Sequence, residues 1–331
     1  MSEQHARSSP RRHLLSVTDL SRADIERILE TARGMALLDG DEKKLSTLRG
    51  RVVVTLFYES STRTSASFEL AAKRLSADVM SLRSSGSSVD KGESLKDTAL
   101  TLGAYDPDVI VVRHPHIGAP QLVARVTDAR VVNAGDGKHE HPSQALLDVY
   151  TLQQHLGTLE GKKIWIVGDV LHSRVARSCT MAFQLMGAAV TVCGPPTLIP
   201  RDFEEALGCD VAGDLSDLGE ADVVYALRMQ RERMAESFVP SIREYAARYQ
   251  IDARRLGPRQ LLMHPGPVNR GIELSPEVID GPNSLITAQV ESGLVVRMAI
   301  LYELLAGGEP RGTAARSDEE LPAPTPIGEP A

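Results

Sequence analysis

Short apolar runs recur along this chain at spacings that leave room for one helix between each pair. Arg51 to Tyr58 (RVVVTLFY), Asp78 to Leu82, Val109 to Val112 (VIVV) and Val131 to Ala134 form a first series. After a long helical stretch the pattern restarts with Lys163 to Val167 (KIWIV), Ala189 to Val192, Asp222 to Tyr225 and Leu261 to Met263. Runs this short and this continuously apolar suit strands buried on both faces, and the helices between them suit parallel crossovers. The fold class expected is α/β, with two doubly wound parallel-sheet domains bridged by two interdomain helices. A length of 331 residues allows each domain its own core.

Helical patterns fill the gaps. Ser21 precedes Ile25, Ile28, Leu29 and Ala32, which share one helical face. Further helices are expected at about Ser65 to Ser76, Leu95 to Tyr105, Gln121 to Thr127 and Ser143 to His155, the last opened by Pro142. A strongly apolar helix follows at about Ala288 to Ala306. The domain division expected is a disordered tail at 1–12, a first domain at 13–147 with helix 288–306 packing back on it, and a second domain at 148–287. Residues 307–331, rich in Pro, Gly and Ala, read as a second disordered tail.

Charge and cysteine content narrow the partners. With 44 acidic against 37 basic residues the net charge is −7, which argues against general affinity for nucleic acid or an anionic membrane. Cys179, Cys193 and Cys209 are odd in number and lack metal-site spacing, as suits a reducing compartment. No run approaches the ~20 apolar residues of a membrane span, and residues 1–12 lack a signal-peptide core. A cytoplasmic protein is expected.

The chemistry gathers where expected strands end, the place where open α/β sheets bind ligands. The first strand runs into Ser60, Ser61, Thr62, Arg63 and Thr64 just before a helix. Hydroxyls, free backbone N–H groups and the positive end of the helix dipole meet there, and Arg63 adds a fork suited to two phosphate oxygens. A capped helix with one exposed arginine is the bland alternative. The spaced glycines and Gly-Lys-Ser/Thr end of a nucleotide P-loop are missing. Next comes the loop Ser84 to Ser94, with Ser87 and Lys91 between Gly86 and Gly92; alone it reads as a solvated loop. Arg113 leaves an apolar strand, so it is either paired in the core or aimed into a cleft, and the cleft is expected.

His141, before Pro142, and Gln144, one turn into the helix, can face one point. His139 and His141 offer only two ligands, too few for a metal site. In the second half, GDVLHSRVARS follows KIWIV but lacks the glycines of a dinucleotide turn, which argues against a nicotinamide cofactor. It supplies Arg174. The next strand ends in Arg228 and Gln230, with Arg231 and Arg233 beyond them, and LMHPGP carries a stiff turn with Gly266 and Pro267. Cations and hydroxyls suited to a phosphate thus face arginines suited to carboxylates. No nucleophile–base pair accompanies them. That combination points to direct group transfer between two small anions, driven by orientation and electrostatics.

In order and spacing, STRTSASFE, GSSVDKGES, VVRHP, HPSQALLD, GDVLHSRVARS, LRMQRER and HPGP resemble the aspartate/ornithine carbamoyltransferase family, over roughly residues 12 to 307. The resemblance implies that Ser61, Thr62, Arg63 and Thr64 hold the phosphate of carbamoyl phosphate. It implies that Thr64, Arg113 and His141 polarise the carbamoyl oxygen, that Gln144 meets the NH2, and that Gly266 and Pro267 offer backbone carbonyls. Arg174, Arg228 and Gln230 match positions that bind the carboxylates of L-aspartate. Ser87 and Lys91 match residues reaching in from a neighbouring subunit, implying a homotrimer or an oligomer of trimers. No metal or cofactor is implied, and a regulatory chain or a dihydroorotase as partner stays open. The arginines argue against ornithine as acceptor, and HPGP lacks the cysteine of the ornithine branch. An intact set of Arg63, Thr64, Arg113 and His141 argues against a non-catalytic scaffold. Many relatives carry Leu where this chain has Gly266.

Overall fold

The computed structural model describes residues 13–37, 44–83, 92–230 and 238–305. Its first half alternates helix and strand as α1 (Arg22–Ala36), β1 (Val52–Phe57), α2 (Thr62–Arg74), β2 (Asp78–Arg83), α3 (Leu95–Gly103), β3 (Val109–His114), α4 (Ala119–Val126), β4 (Arg130–Asp136) and α5 (Pro142–Leu156). The second half continues with β5 (Lys163–Val167), α6 (Arg174–Leu185), β6 (Ala189–Cys193), α7 (Phe203–Leu207), β7 (Asp210–Ala212), β8 (Val223–Ala226), α8 (Ile242–Tyr249), β9 (Leu261–Met263), α9 (Pro276–Ile279) and α10 (Ile286–Leu305).

Two separate all-parallel sheets result, with strand orders β2-β1-β3-β4 and β7-β6-β5-β8-β9. In each, the opening strand is flanked by strands running off in both directions. That places a topological switch point beside β1 and another beside β5. Alternation along the strands sends side chains to two different cores. Val53, Val109 and Val111 enter one, while Val54, Ile110 and Val112 enter another beneath α3 and α4. In the second sheet Ile164 and Ile166 share the first core, and Trp165 and Val167 face a third with α8 and α9. The first core is therefore common to both sheets.

Of the helices that line that shared core, α5 and α10 are the most deeply packed. Pro142 opens α5, whose missing N–H costs nothing at a first helical position. Every α5 residue from Pro142 to Leu152 is buried, and the helix packs on both α6 and α10. The latter also packs on α1 and α2. At its start α1 carries a capping box, with Ser21 and Asp24 each accepting from the other's backbone N–H.

Several boundaries differ from the sequence expectation. α2 begins at Thr62, not near Ser65, because the Ser61 hydroxyl accepts from Thr64 N–H and draws three hydroxyl and cationic residues into the first turn. β3 extends through Arg113 and His114, and β4 through Asp136, since ladder pairing outweighs their polarity. α3 stops at Gly103, short of Tyr105. β7 was not expected; three residues with an acid at their head gain strand form only by pairing with β6.

Candidate active site

A cavity of about 700 Å³ opens between the two sheets, at the carboxyl ends of the strands. Every expected site residue within the described range lines it: Ser61, Thr62, Arg63, Thr64, Arg113, His141, Gln144, Arg174, Arg228, Gln230, Gly266 and Pro267. Ser87 and Lys91 lie outside the described residues, as do Arg231 and Arg233.

Each side of the cavity grows from a switch strand. β1 delivers the chain to Ser61, the N-cap of α2, so Thr62, Arg63 and Thr64 occupy the turn where backbone N–H groups lack helical partners. Beside it, β3 presents Arg113, in register with Phe57 of β1. The end of β4 leads through residues 137–140 to His141, the residue before α5, and Gln144 follows in that helix's first turn. From the second sheet, β5 feeds Ser173, the N-cap of α6, and Arg174 stands directly after it. β8 leads to Arg228 and Gln230, and β9 to His264 through Pro267.

The two walls are tied together. Glu59 Oε2 accepts from Arg174 Nη2 at 2.6 Å and lies 3.3 Å from Arg113 Nε, joining cations from both sheets. Arg113 is thus both paired and aimed into the cleft. Arg174 Nη1 also donates to the Gly137 carbonyl at 3.0 Å. Gly135, with φ of +118°, makes this approach feasible: a Cβ there would lie 2.8 Å from Arg174 Nε. The opposite wall repeats the arrangement. Gly266, with φ of +63° and a cis bond to Pro267, leaves its backbone against Arg63, and a Cβ would come within 2.9 Å of Cζ. Each wall's glycine receives the other wall's arginine.

Gln230 is held by the loop after β5. Its backbone N–H donates to Asp169 Oδ2 and its Nε2 to the His172 carbonyl, each at 3.1 Å, while Asp169 Oδ1 accepts from His172 N–H at 3.1 Å. Glycine in this loop allows close packing on the segment after β8, since a Cβ at Gly168 would lie 2.8 Å from the Leu227 carbonyl. His264 Nδ1 accepts from Gly266 N–H at 2.8 Å and shapes the LMHPGP turn.

Electrostatically the cavity is an anion trap. Its described lining holds five arginines (63, 113, 174, 228 and 297) and one carboxylate, Glu59. Burial, and then the charge of Arg228, push the Arg63 pKa down. Burial lowers the His141 pKa well below the usual 6.5, with Arg113, Arg174 and Arg297 adding to the shift. The imidazole is therefore neutral near pH 7 and carries a single N–H, a hydrogen-bond donor and not an acid. Among the described residues no group of three His, Cys, Asp or Glu side chains could hold a metal ion, and Cys179, Cys193 and Cys209 are buried free thiols. No helix among them is long and apolar enough to cross a membrane.

Sequence reasoning passed over several lining residues, among them Glu59, His264, Gln289 and Arg297. Glu59 sits inside the FYESSTRT stretch and could have been flagged as the lone acid among cations. Arg297 is the one cation within VVRMAILYELL, a position that burial penalises unless function requires it. Its guanidinium lies 5.2 Å from the Phe68 ring centre, and burial lowers its pKa to about 10.

Both halves of the chain are similar to known proteins. A family model described as "Aspartate/ornithine carbamoyltransferase, carbamoyl-P binding domain" matches residues 12–154, and one described as "Aspartate/ornithine carbamoyltransferase, Asp/Orn binding domain" matches 160–304. The aspartate carbamoyltransferase catalytic subunit of Salinispora arenicola is 58% identical, over 89% of this chain and 98% of its own length. That of Acidothermus cellulolyticus is 54% identical over 96% and 98%. A crystal structure of the Trypanosoma cruzi aspartate transcarbamoylase with carbamoyl phosphate and aspartate superposes with a TM-score of 0.81 at 33% identity, covering 88% of this chain and 96% of that one. The chain belongs to the aspartate/ornithine carbamoyltransferase family.

Proposed function

We propose that this protein is an aspartate carbamoyltransferase, moving the carbamoyl group of carbamoyl phosphate to the amine of L-aspartate. The products are N-carbamoyl-L-aspartate and phosphate, an early step of pyrimidine synthesis. One observation carries the reading: a helix-start hydroxyl cluster with Arg63, Arg113 and His141 faces Arg174, Arg228 and Gln230 across one cavity.

Under this reading Ser61, Thr62, Arg63 and Thr64 hold the phosphate group with the free N–H groups of the α2 first turn. Arg113 spans phosphate and carbonyl oxygen. Thr64, Arg113 and the neutral His141 donate to that oxygen, and their pull strengthens as it becomes an oxyanion. Gln144 meets the carbamoyl NH2. Arg174, Arg228 and Gln230 take the two carboxylates of aspartate. The backbone carbonyls of Gly266 and Pro267 accept from the amines. Attack by the aspartate nitrogen forms a C–N bond and a tetrahedral intermediate. Its collapse breaks the C–O bond to phosphate, which leaves with the amine proton. Catalysis then rests on orientation and fixed charge.

The active unit is a homotrimer in the cytoplasm, with Ser87 and Lys91 reaching a neighbouring subunit's cavity. Light scattering on the purified chain tests the trimer. Mixing chains inactivated at Lys91 with chains inactivated at Arg113 restores part of the activity only if sites are shared. The function itself is tested by offering aspartate and ornithine side by side with carbamoyl phosphate. Carbamoyl-aspartate alone supports the reading. Citrulline overturns the acceptor half of it, and no product at all overturns the whole.

A further inference from the structure

Beneath the cavity floor lies Asp148, a fully buried carboxylate that contributes nothing to the lining. It sits one helical turn after Gln144 on α5, so the two side chains meet. Gln144 Nε2 lies 3.1 and 3.2 Å from the two Asp148 oxygens. Gln289 Nε2 of α10 and Tyr225 Oη of β8 each donate to it at 2.7 Å, and Cys179 Sγ of α6 donates at 3.3 Å. Four elements from both halves of the molecule thus point donors at one acid.

An ionised carboxylate accepts and never donates. Both glutamines must therefore turn their NH2 groups toward Asp148 and their carbonyl oxygens away. For Gln289 the other end is accounted for, since its Oε1 accepts from His264 N–H at 2.9 Å. Gln144 lines the cavity, so the end it keeps for a ligand is Oε1, an acceptor. Without Asp148 the amide could present either end.

We propose that Asp148 is a positioning residue that locks the Gln144 amide with its oxygen toward the cavity, making the site select an acyl phosphate bearing NH2 over one bearing CH3. This rests on the carbamoyl phosphate reading above. The chemistry recognised is an N–H donor on the acyl carbon, at the place where acetyl phosphate offers a methyl group of similar size.

Protonation of Asp148 turns one oxygen into a donor and releases the lock. Burial raises its pKa to about 6. The groups facing it from other elements do not compete in that range. Cys179 and Tyr225 are held well above their usual values, and Arg297 of α10 stands at about 10. At the head of α5, His141 is held well below 6.5.

The test measures dissociation constants of carbamoyl phosphate, acetyl phosphate and inorganic phosphate on the full chain. At pH 8 the wild type should prefer carbamoyl over acetyl phosphate by about ten-fold, the scale of one well-placed hydrogen bond. In Asp148→Asn that preference should fall to about two-fold or less, with phosphate affinity changed less than about two-fold, because only the amide orientation is lost. Adding Asp148→Asn to Gln144→Ala should change nothing further, as expected of two residues acting as one unit. Should the Asn variant not fold, the wild-type preference is followed from pH 8 to 5. It should drop with an inflection near 6. Tyr225→Phe, by removing a hydrogen bond to the ionised form, should move that inflection upward. A full preference in Asp148→Asn, equal weakening of all three ligands, a wild type without preference, or an inflection unmoved by Tyr225→Phe each overturns the inference while leaving the proposed function standing. A wild type that binds neither acyl phosphate overturns both.

Discussion

The two walls of the cavity are built by one device used twice. In each, the switch strand of a parallel sheet runs into a turn and a serine-capped helix, with an arginine in the helix's first turn: Ser61 and Arg63 on α2, Ser173 and Arg174 on α6. Their states differ. Among the described residues Arg63 has no carboxylate partner, and its neighbour in charge is another cation, Arg228. Arg174 is buried and already engaged with Glu59 and the Gly137 carbonyl. The first wall is an open anion cradle whose Arg63 meets the other wall at the Gly266 backbone. The second gains its arginine's position by reaching across the cleft. A ligand for the second wall must therefore compete with, or join, an existing ion pair.

Experiments can sharpen that contrast. The largest effect is expected from Arg113→Ala. Losing one donor to a developing oxyanion should lower kcat by about 10²–10³-fold in a carbamoyl transfer assay. A loss confined to aspartate KM would move Arg113 from the chemical wall to the acceptor wall. Next, Arg228→Ala removes a charged contact of about 1.5–3 kcal/mol, raising aspartate KM by about 10–100-fold. Carbamoyl phosphate affinity should change by no more than about three-fold, because screening in an open cavity weakens the remote charge.

The reciprocal glycines predict crossed effects. Gly266→Ala belongs to the second domain yet should weaken carbamoyl phosphate, since its Cβ would displace Arg63. Gly135→Ala belongs to the first yet should weaken aspartate, by displacing Arg174. Each also forces a side chain into a left-handed backbone, costing about 1–3 kcal/mol in denaturant stability. If each variant harmed its own wall's substrate instead, the exchange across the cleft would be structural only.

A smaller effect follows from His141. An unfolded histidine titrates near 6.5, whereas the folded chain keeps this one neutral to well below that. The folded state binds fewer protons, so this contribution to stability is complete above about pH 6.5 and is lost as pH falls through the folded value. Asp148 has the opposite sign: its pKa, raised to about 6, contributes below the ordinary carboxylate range and is lost as pH rises through about 6. Denaturation midpoints of His141→Gln and wild type, compared from pH 7 to 5, should therefore diverge, with the wild type losing stability relative to the variant as pH falls. Parallel curves would mean that His141 takes up its proton in the folded chain as it does in the unfolded one. The smallest effect compares the caps. Ser61→Ala and Ser173→Ala should each cost about 1 kcal/mol, but only the first should change carbamoyl phosphate affinity.

Most of the architecture is readable in sequence, because doubly buried parallel strands leave short apolar runs that few other structures need. Where reading failed, tertiary pairing decided. Asp210–Ala212 has no strand signal of its own and depends on β6. Thr62 to Thr64 look like turn residues, yet one hydroxyl–backbone bond from Ser61 places them in a helix. Within the site, residues clustered in motifs were visible. Glu59, Gln289 and Arg297 were not, because their partners lie far along the chain. Glu59 meets Arg174 and Gln289 meets Asp148 only after both sheets have formed.

The placement of α10 bears on how the chain is made. Synthesis runs from the amino end, and domains tend to fold as they emerge. Here the helix that covers α1, α2 and α5 comprises residues 286–305. Until it leaves the ribosome, Ile25, Leu29, Phe68 and Leu146 lack a wall of the core they share with it. The first domain to be translated is thus among the last to be closed. A nascent chain halted before residue 286 should present a greasy face to chaperones, although its first sheet is already complete.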